Sequence, residues 1–479
     1  MRTARPVYSV AMHDRRHESG HGSAVEGHAG HASAAIGKSS LTQGLAPVDP
    51  TGPAAPPDPQ ALIAEVQQAA IAGQAHKALK LMASVPRPQQ IEIATAISPE
   101  ARHSFAKNMP TNIGNHHPTR VTTNVLFQHT PDAERATLEL MFEARFRVQI
   151  GTHPIAKHGR KFDPLGLRQM WEVFEDLPPE HVAKNWAVAK LDRYHDTKDD
   201  DPKHAHGLFA GPEGRAGEID LSYTDSIITD GGTTDHDRQG DPLHGVNRFD
   251  EVARHEVGHA VDRELGWPSF GTLSQTEEAG QWEGYYTPED YRRAAEQMVT
   301  GSAGPIQALP AAERTQVIDA MVASMSHSDT THFRNAIDKL DGHPGLKSDA
   351  VYRVMTKGLA SQSPWLDTHA IAGRHYHQAY TGPDKRGAGA QWTSYSEKAY
   401  SQHRVSEYQF RAIQEWFAEA YAAFYTPGEA GEPKGSRLKQ KLPETHAWFK
   451  KHVDNKTAVK NESKAARKDD HAPKKPTRP

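Results

Sequence analysis

The sequence predicts an α+β protein whose middle holds a small mixed sheet and one long helix. Two stretches predict the sheet. Phe146, Val148 and Ile150 alternate with polar residues, and so do the residues of Gly217-Glu218-Ile219-Asp220-Leu221-Ser222-Tyr223. A third observation predicts the helices: Leu167, Met170, Trp171 and Phe174 recur at helical spacing, and Arg248 to Leu265 reads as helix until Gly266 and Pro268 stop it.

The other elements follow in chain order. Residues 1–58 are rich in Gly, Ser, Ala, His and Pro and carry His13, His17, His21, His28 and His31. Such a stretch buries too little apolar surface to offset its ordering entropy, so a disordered leader is expected. Residues 59–116 show Leu62, Ile63, Val66, Ala69 and Ala70 at helical spacing, then Leu79, Leu81 and Met82. They predict a small all-helical module of three or four short helices. Residues 117–454 form the main domain. Glu134–Glu143 predicts a helix, Asn185–Leu191 and Gly207–Ala210 predict further strands, and the turn at 211–214 leads into Glu218–Tyr223. From about 275 to 390 the pattern predicts mostly helix and no strand, clearest at Ala311–Met325 and Lys347–Leu359. Helices are then expected at about Arg404–Tyr425 and His446–Val453. The Lys-rich, Pro-broken residues 455–479 predict a disordered tail.

Composition narrows the chemistry. The chain has 479 residues, so two or three units are expected. Net charge is −4, which gives no global field for nucleic acid. No apolar run is long enough to span a membrane, and no h-region follows Arg2, Arg5, Arg15 and Arg16, so no standard signal peptide is expected. Cysteine is absent, so any metal must be held by His and carboxylate.

The chemistry-bearing pattern is His255-Glu256-Val257-Gly258-His259. Residues four apart on a helix share a face, so both imidazoles can meet one ion. Glu256 is displaced around the helix; it is positioned to act on a metal-bound water as general base rather than to ligate. With 30 histidines in the chain, the bare pattern has limited specificity. Context adds to it. Val252, Val257, Ala260 and Val261 flank the motif with apolar residues, and Gly258 in a helix interior marks close packing. A hydrolytic zinc site needs a third protein ligand and an open fourth position. Glu415 and Glu419, four apart among Trp416, Phe417, Phe424 and Tyr425, supply a candidate ligand and a partner for a histidine N–H.

At these residues the chain resembles the lethal-factor-like zinc metalloproteases, a gluzincin family. His255-Glu256-Val257-Gly258-His259-Ala260-Val261-Asp262 is similar to the family's H-E-x-G-H-A-V-D, and Glu415-Trp416-Phe417-Ala418-Glu419-Ala420-Tyr421 to its E-[FW]-F-A-E-A-[FY]. The resemblance implies a zincin-like domain with one Zn²⁺ held by His255, His259 and Glu415. It also implies Glu256 as base and Glu419 behind a ligating histidine. The family's oxyanion-donating tyrosine, seven residues before the glutamate ligand, falls on Tyr408, with Tyr395 as a rival. An extended peptide substrate is expected to pair with an edge strand above the active helix, and Glu218, Ile219, Asp220, Leu221 and Ser222 are the candidate strand. The chain departs from the pattern in one respect: its two motifs lie about 155 residues apart, more than the family's spacing, and the excess, about 270 to 390, reads as an inserted helical subdomain.

The function expected is a zinc-dependent endopeptidase acting on protein or peptide. Gly37-Lys38-Ser39-Ser40-Leu41-Thr42-Gln43-Gly44-Leu45 resembles leader segments of polymorphic toxins and injection-system cargoes, which implies a secreted or injected bacterial effector. The alternative location is cytoplasmic. Two alternative functions stand beside the peptidase. One is a non-enzymatic scaffold with a zinc site closed by a fourth ligand such as His244, His375 or His377. The other is a zinc amidase acting on a non-protein amide such as a peptidoglycan cross-link.

Overall fold

The computed structural model describes residues 10–13, 58–109, 117–151, 162–194, 205–210, 218–222, 240–265, 274–340, 342–360, 369–379, 391–428 and 432–454. The tail at 455–479 and the segment Gly37–Leu45 lie outside the described residues, as do Gly266 and Pro268. Helices dominate, with two small sheets, an arrangement compatible with the α+β expectation. No helix among the described residues is long and apolar enough to cross a membrane.

The N-terminal module has four helices: Pro59–Ile71, Ala75–Ala83, Arg87–Ala96 and Pro99–Lys107. Local chemistry starts them. Asp58 accepts from Gln60 N at 3.1 Å ahead of Pro59, and Ser98 accepts from Ala101 N at 3.2 Å ahead of Pro99. Their apolar faces, including Val66, Leu79, Ile93 and Phe105, belong to the same core as the metal-site helices. The module is therefore part of the main body.

The first sheet has five strands: β1 (Val10–His13), β2 (Gln149–Ile150), β3 (Lys190–Tyr194), β4 (Ala205–Ala210) and β5 (Glu218–Ser222). Their order is β1-β4-β5-β3-β2. β2, β3 and β5 run parallel, whereas β4 is antiparallel to β5 and β1 antiparallel to β4. Three sequence expectations change here. Glu218–Ser222 is an interior strand, hydrogen-bonded on both sides, so it offers no free edge to a substrate; alternation fixes a strand's faces but not its neighbours. Val10–His13, within the leader expected to lack structure, pairs with β4. Phe146 ends a helix (Arg135–Phe146) that Arg147 closes at φ 59°, so the predicted strand there shrinks to Gln149–Ile150.

β4 and β5 pack against an 18-residue helix, Arg248–Leu265, here called the histidine helix. Asn247 Oδ1 accepts from Asp250 N at 3.2 Å and opens its first turn. All residues from Glu251 to Asp262 are buried despite six charged or imidazole side chains among them. A second buried helix, Ile413–Tyr425, lies across it and is here called the glutamate helix.

The insertion is not purely helical. β6 (Glu283–Tyr285) precedes its helices and β7 (Arg374–Ala379) and β8 (Gln391–Ser396) follow them; the three form an antiparallel sheet ordered β6-β8-β7. A second apolar core, from Tyr285 and Met298 through Met321 and Phe333 to Trp392, belongs to this unit alone. The expected helix over Arg404–Tyr425 also divides. Tyr408–Arg411 is a short 3₁₀ turn, and the α-helix begins only at Ile413, after the extended Ala412 at φ −160°. Gln409 explains the break. Its Oε1 accepts from Val405 N at 2.5 Å and from Ser406 N at 3.1 Å, which replaces helical hydrogen bonds with a side-chain clasp.

Candidate metal centre

The histidine and glutamate helices meet at Gly258. A Cβ on this residue would stand 3.0 Å from Ala418 Cα and 3.1 Å from Tyr421 Cβ. Glycine in a helix interior costs about 1 kcal/mol relative to alanine; here the missing side chain lets the two backbones approach. Gly258→Ala is expected to push the glutamate helix outward and weaken metal binding at least tenfold, in the range seen for loss of outer ligand support. Titration of zinc against a chromophoric chelator measures it. Unchanged affinity would show that the close approach does not set the site.

The approach brings three donor atoms together. His255 Nε2 lies 3.0 Å from His259 Nε2 and 3.1 Å from Glu415 Oε2, and His259 Nε2 lies 3.4 Å from Glu415 Oε2. Ligands about 2.0–2.1 Å from one tetrahedral centre stand about 3.3 Å from each other. Two imidazole nitrogens this close also need a proton or a cation between them. The buried group His255, His259 and Glu415 could hold a metal ion, and among the described residues no fourth His, Asp or Glu joins it. Of the expected alternatives, His375 contacts the Glu397 carboxylate, and both His377 ring nitrogens face backbone carbonyls at 2.9 Å. His244 is exposed.

Glu419 stands behind this trio, with Oε1 2.6 Å from His255 Nδ1. A carboxylate can only accept, so Nδ1 carries the proton and Nε2 keeps its lone pair for a ligand role. The contacts of the three clustered groups set their charges differently. Burial alone lowers the His255 pKa, but hydrogen bonds to Glu415 and Glu419 reverse this and hold it well above the ordinary value. Burial raises Glu415, yet the contacts from His255 and His259 and the nearby Arg411 keep it below the usual carboxylate range. For His259 burial wins and its pKa falls.

Glu256 is fully buried beside the first histidine. Of the two candidate tyrosines, Tyr408 is the one whose ring faces His255, 5.9 Å between centroids. Its hydroxyl feels the charges of Glu415 and Glu256. Tyr395 sits on β8 among Trp282, His375 and Phe410, with ring centroids 5.0, 5.2 and 4.7 Å away. Sequence reasoning missed Arg411. It is buried, its Nη1 donates to the Tyr408 hydroxyl, and its guanidinium lies 5.3 Å from the Tyr408 ring centre. The one signal in the sequence is a cation set between Phe410 and the apolar Ala412-Ile413.

Asp262, the last residue of the resembling motif, is buried, and burial raises its pKa from 3.8 to about 7. The folded value is the raised one. Its contribution to stability is therefore present in full below pH ~4 and lost as pH rises toward 7. Asp262→Asn is expected to remove this loss. Urea midpoints of both proteins across pH 4–8, with chelator present, measure the difference; parallel profiles would refute it.

Comparison with known proteins finds no relative: no family model, curated protein or solved structure matches this chain. The site therefore rests on its own geometry.

Proposed function

We propose that the chain is a zinc-dependent endopeptidase of the lethal-factor-like, zincin type. The observation that supports it most is the trio His255, His259 and Glu415. Its donor atoms stand at 3.0, 3.1 and 3.4 Å, close to the edges of a zinc tetrahedron, with Glu256 and Glu419 arranged around them. Neutral imidazoles and one carboxylate, with no thiolate, form a donor set that zinc accepts.

A zinc ion held there by His255, His259 and Glu415 would supply Lewis acidity toward a scissile carbonyl and the attacking water. The chain's own groups do the rest. Glu256 takes the proton of the attacking water and delivers it to the leaving amine nitrogen. Tyr408 donates its O–H to the oxyanion that develops on the carbonyl carbon's oxygen. Glu419 holds the His255 ring in the ligating tautomer through Nδ1–H. Burial excludes bulk water from all four groups, which strengthens each interaction.

The test combines metal analysis with substrate screening. About one zinc per chain is expected, together with chelator-sensitive cleavage of a quenched-fluorescent peptide library. Zinc without peptide cleavage, but with release of product from peptidoglycan fragments, would replace the peptidase by an amidase. Absence of stoichiometric zinc would overturn the reading. Delivery as a bacterial effector is proposed from the Gly37–Leu45 resemblance alone and is tested by following export of the full chain.

A further inference from the structure

We propose that the inserted unit is a working part of this active site: its sheet grips Phe410, and through that grip it sets where Tyr408 and Arg411 stand. The inference rests on the metallopeptidase reading and goes beyond it by giving the insertion and Arg411 roles in the reaction.

The grip is built from the sheet that carries β6, β7 and β8. Phe410 is fully buried. Its ring lies 4.7 Å from Tyr395 on β8, 5.0 Å from Tyr400 just beyond it and 6.3 Å from Trp282 just before β6. Its carbonyl oxygen lies 2.9 Å from Nε2 of His377 on β7. His377 is itself completely buried, and Nδ1 faces the Gln378 carbonyl at 2.9 Å. With both acceptors being carbonyls, the ring can serve only as a donor, and the inference places its proton on Nε2, toward Phe410. One ring in an aromatic slot and one carbonyl on a buried donor fix both the position and the rotation of a short turn. That turn is Tyr408–Arg411.

Arg411 is the second half of the device. A buried guanidinium needs partners, and the hydroxyl of Tyr408 is one of them. Arg411 donates to the hydroxyl oxygen, so that oxygen's own proton is left to point at an acceptor on the substrate. The cation also opposes the burial that makes Tyr408 a weaker donor. Arg411 is thus a positioning residue acting through Tyr408, and His377 and Tyr395 are positioning residues acting through Phe410.

The zinc-loaded full chain tests this by two routes. In the first, hydrogen exchange is followed for residues 405–412 in His377→Leu. Faster exchange there, with the histidine and glutamate helices unchanged, is expected, and His377→Gln, which keeps a donor, should restore protection. If His377→Leu does not fold, Tyr395→Leu, which removes the ring against Phe410, should give the same pattern. Unaltered exchange at 405–412 in both would overturn the grip. In the second route, Arg411→Met is made in the parent and in Tyr408→Phe. It should lower kcat about tenfold to a hundredfold in the parent, the scale of a misplaced catalytic group. KM should stay unchanged, Arg411→Lys should recover part of the loss, and Tyr408→Phe should erase the effect. An equal loss in both backgrounds would overturn action through Tyr408. If the parent cleaves no peptide, the peptidase reading fails and the second route with it. The exchange result then still decides whether the insertion holds the turn.

Discussion

Glu256→Gln is expected to bind zinc as the parent does and to lose hydrolysis about 10²–10⁴-fold, the range that proton transfer by one side chain supplies. The substitution keeps shape and volume and removes only the ability to take a proton. Glu256 is not one of the three clustered donors, so the ligand set is untouched. Its side chain is fully buried, which leaves little room for a replacement base to reach the same water. The variant should also retain KM, because the lost interaction belongs to the transition state. Metal analysis and peptide hydrolysis on one preparation settle the matter; cleavage at the parental rate would remove Glu256 from the mechanism.

Glu415→Ala should have the largest effect on the metal. Loss of an outer partner of a ligand costs about 10–100-fold in affinity, and Glu415 is a candidate ligand itself, so a fall of at least about 100-fold is expected. Addition of zinc should raise the melting temperature of the parent by mass action and leave that of the variant nearly unmoved. The alanine also leaves His255 and His259 facing each other at 3.0 Å without the carboxylate that lies 3.1 and 3.4 Å from them. Equal zinc stabilisation in both proteins would mean that the third ligand lies elsewhere.

Legibility from sequence follows how local the determining physics is. The four N-terminal helices carry their apolar faces, and two of them a capping Asp58 or Ser98, within a few residues, so they can be read directly. Their merger with the main core cannot, because periodicity shows that a face is buried and not what buries it. The histidine helix and the pair Glu415 and Glu419 are legible because helical spacing alone puts each pair on one face. The strands of the insertion are hidden for the opposite reason. Glu283–Tyr285 is three residues long, and Arg374–Ala379 is mostly polar; each becomes a strand only by pairing with Gln391–Ser396. The interior position of Glu218–Ser222 depends likewise on partners on both sides. The family's seven-residue spacing favours Tyr408 over its rival Tyr395, but only the fold turns Tyr408 toward His255 and Tyr395 into an aromatic slot.

The pairing of β6 with β8 reaches beyond the site. Glu283 lies opposite Ser394 and Tyr285 opposite Trp392, so the chain departs from the host and returns to it side by side. Opposed residues in an antiparallel pair have Cα atoms only about 4.5–5.5 Å apart. An excursion whose two ends are neighbours can lengthen at a closure penalty that grows only logarithmically, and it need not stretch the host. The long sequence gap between the two motifs therefore carries no information about distance in space: Glu415 Oε2 lies 3.1 Å from His255 Nε2.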